Sequence, residues 1–402
     1  MTHRRMPRLT ALAASVLLPA TFLVGCSTTD TPNPEPSKTT PASSEASVSK
    51  SSASAEPSIA DPSAQSSEFS LMVSGDVLLH PQLLDEAAAA AQKSGGNGKD
   101  FDFQPLLKGL KPYVQDADVA LCNMETPIGK PPYSGYPIFT VPAQIANDLA
   151  VIGYDGCTTA SNHTMDDGTQ GAVRTLDALQ SNDLFTTGSY RSKSEQQAPP
   201  ILDSHGVKLG IIASTYSLNG MKADADWRVD TGVNADRLIQ RAKQARNAGA
   251  DIVVAAVHNG SEYSTRPTAS QRKLGRTLAA SGAFDFIYMH HTHSVLPIEK
   301  YEGKWIVYGV GNSVAKHATP TILNREGISV KATFKQGDEG WSVSKLQYVP
   351  HQLSKAPVKW CEVATEPTCV PTKDAKASLK RTQETVNAFG AFEDGLTSWQ
   401  LP

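Results

Sequence analysis

The sequence predicts an α/β fold, and three observations carry that prediction. Short apolar and β-branched runs recur from residue 69 onward, and they alternate with stretches whose apolar residues fall at 3–4 spacing, as strands alternating with helices do. Five of these runs end in side chains that bind metals or move protons. The only long apolar run lies ahead of residue 25, so a multi-span membrane protein is excluded. At 402 residues, 40% hydrophobic and 19% charged, the chain is long enough for one large domain or two smaller ones. Its 37 basic residues do not exceed its 40 acidic ones, so no nucleic-acid partner is expected.

Residues 1–25 read as an export signal. Arg4, Arg5 and Arg8 precede an apolar stretch from Leu9 to Val24, which ends in Leu23-Val24-Gly25-Cys26. That ending resembles the lipobox of bacterial lipoproteins, which implies that Cys26 is acylated and becomes the new N-terminus. The expected location is the extracytoplasmic face of the cell membrane, with membrane lipid as a partner through Cys26. Removing three arginines with the signal leaves 34 basic against 40 acidic residues, a mildly acidic chain. Ser, Thr, Pro and Ala fill 30 of the 41 positions from 27 to 67, too little apolar surface to offset chain entropy. Residues 26–67 are therefore the lipidated cysteine and a disordered tether, spanning roughly 35 Å as a flexible coil.

From residue 68 the elements follow in order. Strands are predicted at 69–73, 118–122, 155–159, 207–213, 251–257, 284–289 and 304–308, with helices at about 168–180 and 236–248. In open α/β sheets the ligand crevice lies beyond the carboxyl ends of the strands. There the sequence places Asp76, then Asn123 and Glu125, then Asn162 and His163, then His258 and Glu262, and finally His291 and His293. Imidazole, carboxylate and carboxamide together suit manganese, zinc or iron, one or two ions per chain. Beyond residue 320, alternation at 327–335 and 341–349 predicts a hairpin, and residues 372–390 a terminal helix near Trp399. The segment 321–402 is expected as an extension packed on a main domain spanning 68–320. Four cysteines remain after Cys26, an even number that permits disulfides outside the cytoplasm. Cys361 and Cys369 bracket a short Pro-containing loop and pair first; Cys122 and Cys157 are either a second pair or buried thiols.

Six motifs in order then carry a resemblance: Gly-Asp-Val-Leu-Leu at 75–79, Asn-Met-Glu-Thr-Pro at 123–127, Ser-Asn-His-Thr-Met-Asp-Asp-Gly at 161–168, His-Asn-Gly-Ser-Glu-Tyr at 258–263, His-His-Thr-His at 290–293, and Pro-Ile-Glu-Lys-Tyr-Glu-Gly at 297–303. The chain resembles the CapA family, proteins associated with synthesis, anchoring or export of capsular poly-γ-glutamate. The resemblance implies a calcineurin-like metallophosphatase fold, a four-layer α/β/β/α sandwich, and an anionic polymer or its membrane synthase as partner. It also implies Asp76, Glu125, Asn162, His258, His291 and His293 as metal ligands. His163 would be the catalytic residue, stabilising charge or protonating a leaving group, with Asp166 beside it orienting imidazoles. Asn123, Tyr133 and Glu262 would meet substrate, Tyr133 from a Pro- and aromatic-rich loop at 129–139. Leu78 stands where metallophosphatases carry a histidine, and His80 is the imidazole nearest by. Two functions are open at this point: a metal-dependent hydrolase, or a non-catalytic accessory that binds polymer or synthase. His205, His317 and His351 read as ordinary histidines.

Overall fold

The structure is a computed structural model that describes residues 67–95, 98–365 and 369–401. The predicted signal, Cys26 and all of the tether but Ser67 lie outside the described residues.

The first sheet contains β1 (Glu68–Val77), β2 (Val119–Met124), β3 (Gly156–Thr158) and β4 (Phe185–Thr187), paired parallel in that order. The second contains β5 (Ile201–Ser204), β6 (Val207–Thr215), β7 (Ile252–His258), β8 (Phe286–His290), β9 (Ile298–Tyr301) and β10 (Lys304–Val307), ordered β5-β6-β7-β8-β10-β9. Its inner strands β6, β7, β8 and β10 are also parallel. The short β11 (Asn312–Val314) returns to pair with β1. After it come β12 (Glu326–Gly337), β13 (Gly340–Leu353), β14 (Trp360–Glu362) and β15 (Leu396–Ser398). Crossovers are made by α1 (Pro81–Lys93), the short α2 (Gln104–Leu107) and α3 (Lys111–Val114), α4 (Gln144–Ile152), α5 (Gly168–Gln180), α6 (Lys193–Gln197), α7 (Ala235–Asn247) and α8 (Ala269–Ala280), with α9 (Thr372–Val386) near the end.

Strand side chains alternate between faces, and this alternation builds the layers. Leu71, Val73 and Leu121 of the first sheet meet Ile211, Val254, Ala256 and Phe286 of the second in one buried cluster. The alternate residues Met72, Ala120 and Cys122 face outward onto Leu83 of α1 and Leu149 of α4. On the far side Ile212, Val253 and Ile287 pack on Leu238 of α7 and Leu278 of α8. Helix, sheet, sheet, helix is the four-layer sandwich that the family resemblance implies. Helix α1 carries five consecutive alanines, 87–91, and so lacks the bulky periodicity by which α5 and α7 are visible in the sequence. Its start is set by Pro81, whose fixed φ suits the first helical position. Helix α8 is announced by a capping box, Thr268 with Gln271.

The segment after 320 corrects an expectation. It is no extension packed on a finished domain: β12 pairs with β1 in the middle of the first sheet, β13 with β12, and β14 and β15 with β13. Val330, Phe334 and Tyr348 sit in the cluster between the sheets. Trp399 is buried, with its Nε1 donating to Asp116 at 2.8 Å and its backbone N–H to the Tyr348 carbonyl at 2.7 Å. Disulfides join Cys122 to Cys157 and Cys361 to Cys369. The first ties β2 to β3, where the two cysteines are register partners.

Candidate metal centre

The carboxyl ends of β1, β2, β3, β7 and β8 converge. Asp76 sits near the end of β1, where Gly75 is required: a Cβ there would lie 2.4 Å from the Gly311 carbonyl oxygen, so only glycine lets β11 approach. Asp76 is fully buried. One of its oxygens accepts from Asn123 Nδ2 at 2.8 Å and lies 3.0 Å from His290 Nδ1; the other lies 3.1 Å from His293 Nδ1. Burial would raise its pKa, but the hydrogen bonds and charges of His290 and His293 outweigh burial and hold it well below the usual range.

Glu125 follows β2 and is fully buried, yet neither carboxyl oxygen has a hydrogen-bond partner among the described residues. Instead Oε1 lies 3.7 Å from His258 Nε2 and 3.6 Å from His293 Nε2. Burial pushes its pKa well up against the pull of His293, and the charges of Asp76, Glu262 and Asp166 add to the rise. Such an orphaned carboxylate among imidazoles is what a cation ligand looks like without its cation. Although burial lowers the His293 pKa, the charges of Glu125 and Asp76 and the hydrogen bond to Asp76 draw it up to about 9.

The loop after β3 is laced by its own hydroxyls. Ser161 Oγ donates to the Glu125 carbonyl at 2.6 Å and accepts from the His163 N–H at 3.1 Å, which fixes the carboxylate's backbone and the imidazole together. Asp166 Oδ2 lies 2.7 Å from His163 Nδ1 and accepts from the Phe139 N–H at 2.9 Å, while the Phe139 ring meets His163 edge-on. His258, last residue of β7, donates from Nε2 to Asn162 Oδ1 at 2.7 Å and accepts on Nδ1 from Asn123 Nδ2 at 3.3 Å. Burial, then the charge of His291, keeps it neutral by lowering its pKa well below the ordinary value. It therefore enters a ligand shell only by exchanging its bond to Asn162.

His291 and His293 both have positive φ, +86° and +49°, a strained choice for histidine that turns successive rings toward one point. Burial, with the His293 charge, lowers the His291 pKa to about 3. Two groups of three bring ligand atoms within 4.8 Å of one another: Asp76, Glu125 and His293, and Glu262, His291 and His293. The donor types in each group fit a divalent ion, and the two groups have His293 in common. Glu262, expected against substrate, stands in the second group. His258 lies outside both groups, with its Nε2 bonded to Asn162 Oδ1. Asn123, also expected against substrate, is buried and held by Asp76, His258 and Thr158. Tyr133 does not line the site as expected. It is half-buried and sets its ring edge-on to Phe101 on the outer helical layer, while of the other aromatics in the 129–139 loop Phe139 is buried and Tyr136 is exposed. Leu78 is buried in that same layer.

Three residues join the site that were not expected as ligands or substrate contacts. His290 faces Asp76. Asn312 accepts on Oδ1 from His293 Nδ1 at 2.9 Å. The His317 ring lies tilted, 4.7 Å from the His293 ring and 4.5 Å from that of His80, and burial drives its pKa down to about 2. The signal for Asn312 was its position after Gly311, just beyond another strand; His317 had none, because only folding brings residue 317 back across β1.

The residues so assembled belong to a recognisable class of protein. The family model described as bacterial capsule synthesis protein PGA_cap matches residues 70–317, and the chain belongs to that family. It is 31% identical over 204 residues to the PGA biosynthesis protein CapA of Bacillus subtilis (strain 168), covering 50% of this chain and 52% of that one. It is 25% identical over 227 residues to the capsule biosynthesis protein CapA of Bacillus anthracis, covering 54% of each. A probable polyglutamine synthesis accessory protein of Mycobacterium tuberculosis (strain CDC 1551 / Oshkosh) is 26% identical over 219 residues, with 49% of this chain and 55% of that one covered. The chain spans about half the length of these relatives. Among solved structures, the calcineurin-like phosphoesterase YfkN from Bacillus subtilis superposes with a TM-score of 0.44 at 13% identity, over 79% of this chain and 97% of that one.

Proposed function

We propose that this protein serves capsular poly-γ-glutamate or related anionic-polymer assembly from the extracytoplasmic face of the membrane, held by an acylated Cys26, as a metal-dependent hydrolase. The names of the relatives support the process, and the Leu-x-Gly-Cys ending of the export segment supports the anchor. The observation that carries the chemistry is Glu125, fully buried, with neither oxygen hydrogen-bonded among the described residues and with Oε1 3.7 Å from His258 Nε2 and 3.6 Å from His293 Nε2.

Asp76, Glu125 and His293, joined by Glu262 and His291, would hold divalent ions, with His258 entering from Asn162. Manganese, zinc or iron bound there supplies Lewis-acid polarisation and a water acidic enough to attack at neutral pH. The chain's own part is then positional. Asp166 takes the Nδ1–H of His163 into a hydrogen bond, which leaves the Nε2 lone pair to take up a proton; the imidazolium so formed, held by the Asp166 carboxylate, then gives that proton from Nε2 to a leaving group. Buried walls exclude competing water. Phosphoesters and amide carbonyls are both within reach of such chemistry. A second reading, a non-catalytic accessory of a polymer synthase, is favoured by the name of the mycobacterial relative.

Metal content decides between them. After reconstitution with manganese, zinc or iron, purified protein should hold one or two ions per chain, and Glu125→Gln and His293→Ala should each lose them. A wild-type protein that binds none of the three ions overturns the hydrolase and leaves the accessory.

A further inference from the structure

The matched family region ends at residue 317, but the polar site does not. We infer that His351, on β13, is a positioning residue for the site: it holds Asn312, and through Asn312 it fixes the His293 and His317 rings. The inference rests on the site reading above, and it adds to that reading a structural contribution from outside the matched region.

Asn312 spends every polar atom of its side chain. Its Oδ1 accepts from His293 Nδ1 at 2.9 Å, and its Nδ2 donates to the Asn324 carbonyl at 2.9 Å and lies 3.2 Å from His317 Nε2. Its position therefore sets the direction of two imidazoles. The backbone carbonyl of Asn312 in turn accepts a 2.7 Å hydrogen bond from His351 Nε2. A carbonyl only accepts, so Nε2 carries the proton and the tautomer is fixed.

Three features make that bond possible. His351 is completely buried, and its ring stacks 4.6 Å from Trp360, which fixes its plane. The ring reaches Asn312 across Gly327, its register partner on β12. A Cβ on Gly327 would lie 2.5 Å from His351 Cε1 and 2.8 Å from the Asn312 oxygen, so glycine is what opens the passage. Gly311 is likewise pressed on β12, where a Cβ would stand 2.5 Å from the Glu326 carbonyl oxygen, and its φ is +74°. A merely packed histidine needs neither a directed bond into the site strand nor a glycine in front of it. Partners directly behind a ligand, as Asn312 stands behind His293, change metal affinity about 10- to 100-fold when removed, and His351 acts through that partner.

Two variants and two measurements test this. In metal-free protein, long-range ¹H–¹⁵N spectra of the imidazoles should show the His293 and His317 signals displaced in His351→Ala and returned toward wild type in His351→Gln, whose amide N–H can reach the same carbonyl. Manganese or zinc affinity should fall about tenfold in the alanine variant and recover in the glutamine one. A folded His351→Ala with unchanged His293 and His317 signals overturns the inference whatever the metal result. If the alanine variant does not fold, a folded His351→Phe with wild-type signals does so equally. Wild-type protein that binds no metal overturns the site reading instead, and the spectra still judge the role of His351.

Discussion

Asp166 is the residue where local geometry most directly becomes chemistry. Its Oδ2 serves both the Phe139 N–H and the His163 ring, so the carboxylate locks a loop and an imidazole at once. Asparagine at this position supplies an uncharged oxygen, a weaker acceptor for the His163 ring than the carboxylate. Asp166→Asn should therefore lower kcat on a phosphoester substrate about 100-fold while metal content stays at the wild-type level. Loss of the metal along with turnover would instead place Asp166 in the ligand shell. The His163–Asp166 pair could be read at once in the sequence, because its two members lie three residues apart. The role of Glu125 could not be read from residues 123–127 alone, since its isolation from hydrogen-bond donors exists only after four other segments close around it.

Among the elements, α8 depends on one buried acid. Glu299 of β9 is bonded by Arg272 and Arg276 of α8 and by the Tyr308 hydroxyl at 2.7 Å. Burial would raise its pKa, but these donors outweigh it and hold the acid down to about 2, against an ordinary 4.5. A depressed folded-state pKa stabilises above the unfolded value and ceases to do so as pH falls through the folded one. Unfolding experiments should thus show this contribution intact above pH 4.5 and lost as pH falls toward 2. Glu299→Gln should cost about 2 kcal/mol at pH 7, less than for a wholly buried pair because both arginines reach solvent, and should flatten the acid limb. An acid limb identical to wild type would show that the three donors bind no better to the carboxylate than water does. The strand of Glu299 lay inside a motif, yet the arginines that hold it sit on α8, which the apolar spacing did not mark.

The whole molecule is bound together by strands from its last fifth. Because β12 is the antiparallel neighbour of β1, removing everything after residue 320 exposes the edge of the strand that bears Asp76 and opens the core between the sheets. An unpaired edge and an open core lead to aggregation rather than a smaller folded domain. Chain 68–320 should therefore be recovered insoluble or without a cooperative melt, whereas chain 68–402 should melt cooperatively. A soluble, cooperatively melting 68–320 would show that the two hairpin strands are dispensable after all.

Alternating apolar runs determined that this would be an α/β protein, because side-chain period is a local property of strands and helices. The strand-end motifs fixed which segments carry chemistry for the same reason, since each lies a few residues beyond a run that is visible on its own. What folding alone decided was which of these distant residues meet. The sharing of His293 between two ligand groups, the recruitment of His290, Asn312 and His317, the withdrawal of Tyr133 into packing and the entry of β12 beside β1 all depend on sheet order. Sheet order is set by how two pleated faces and two helical layers bury their apolar sides together, a condition on the whole chain that no window of sequence contains.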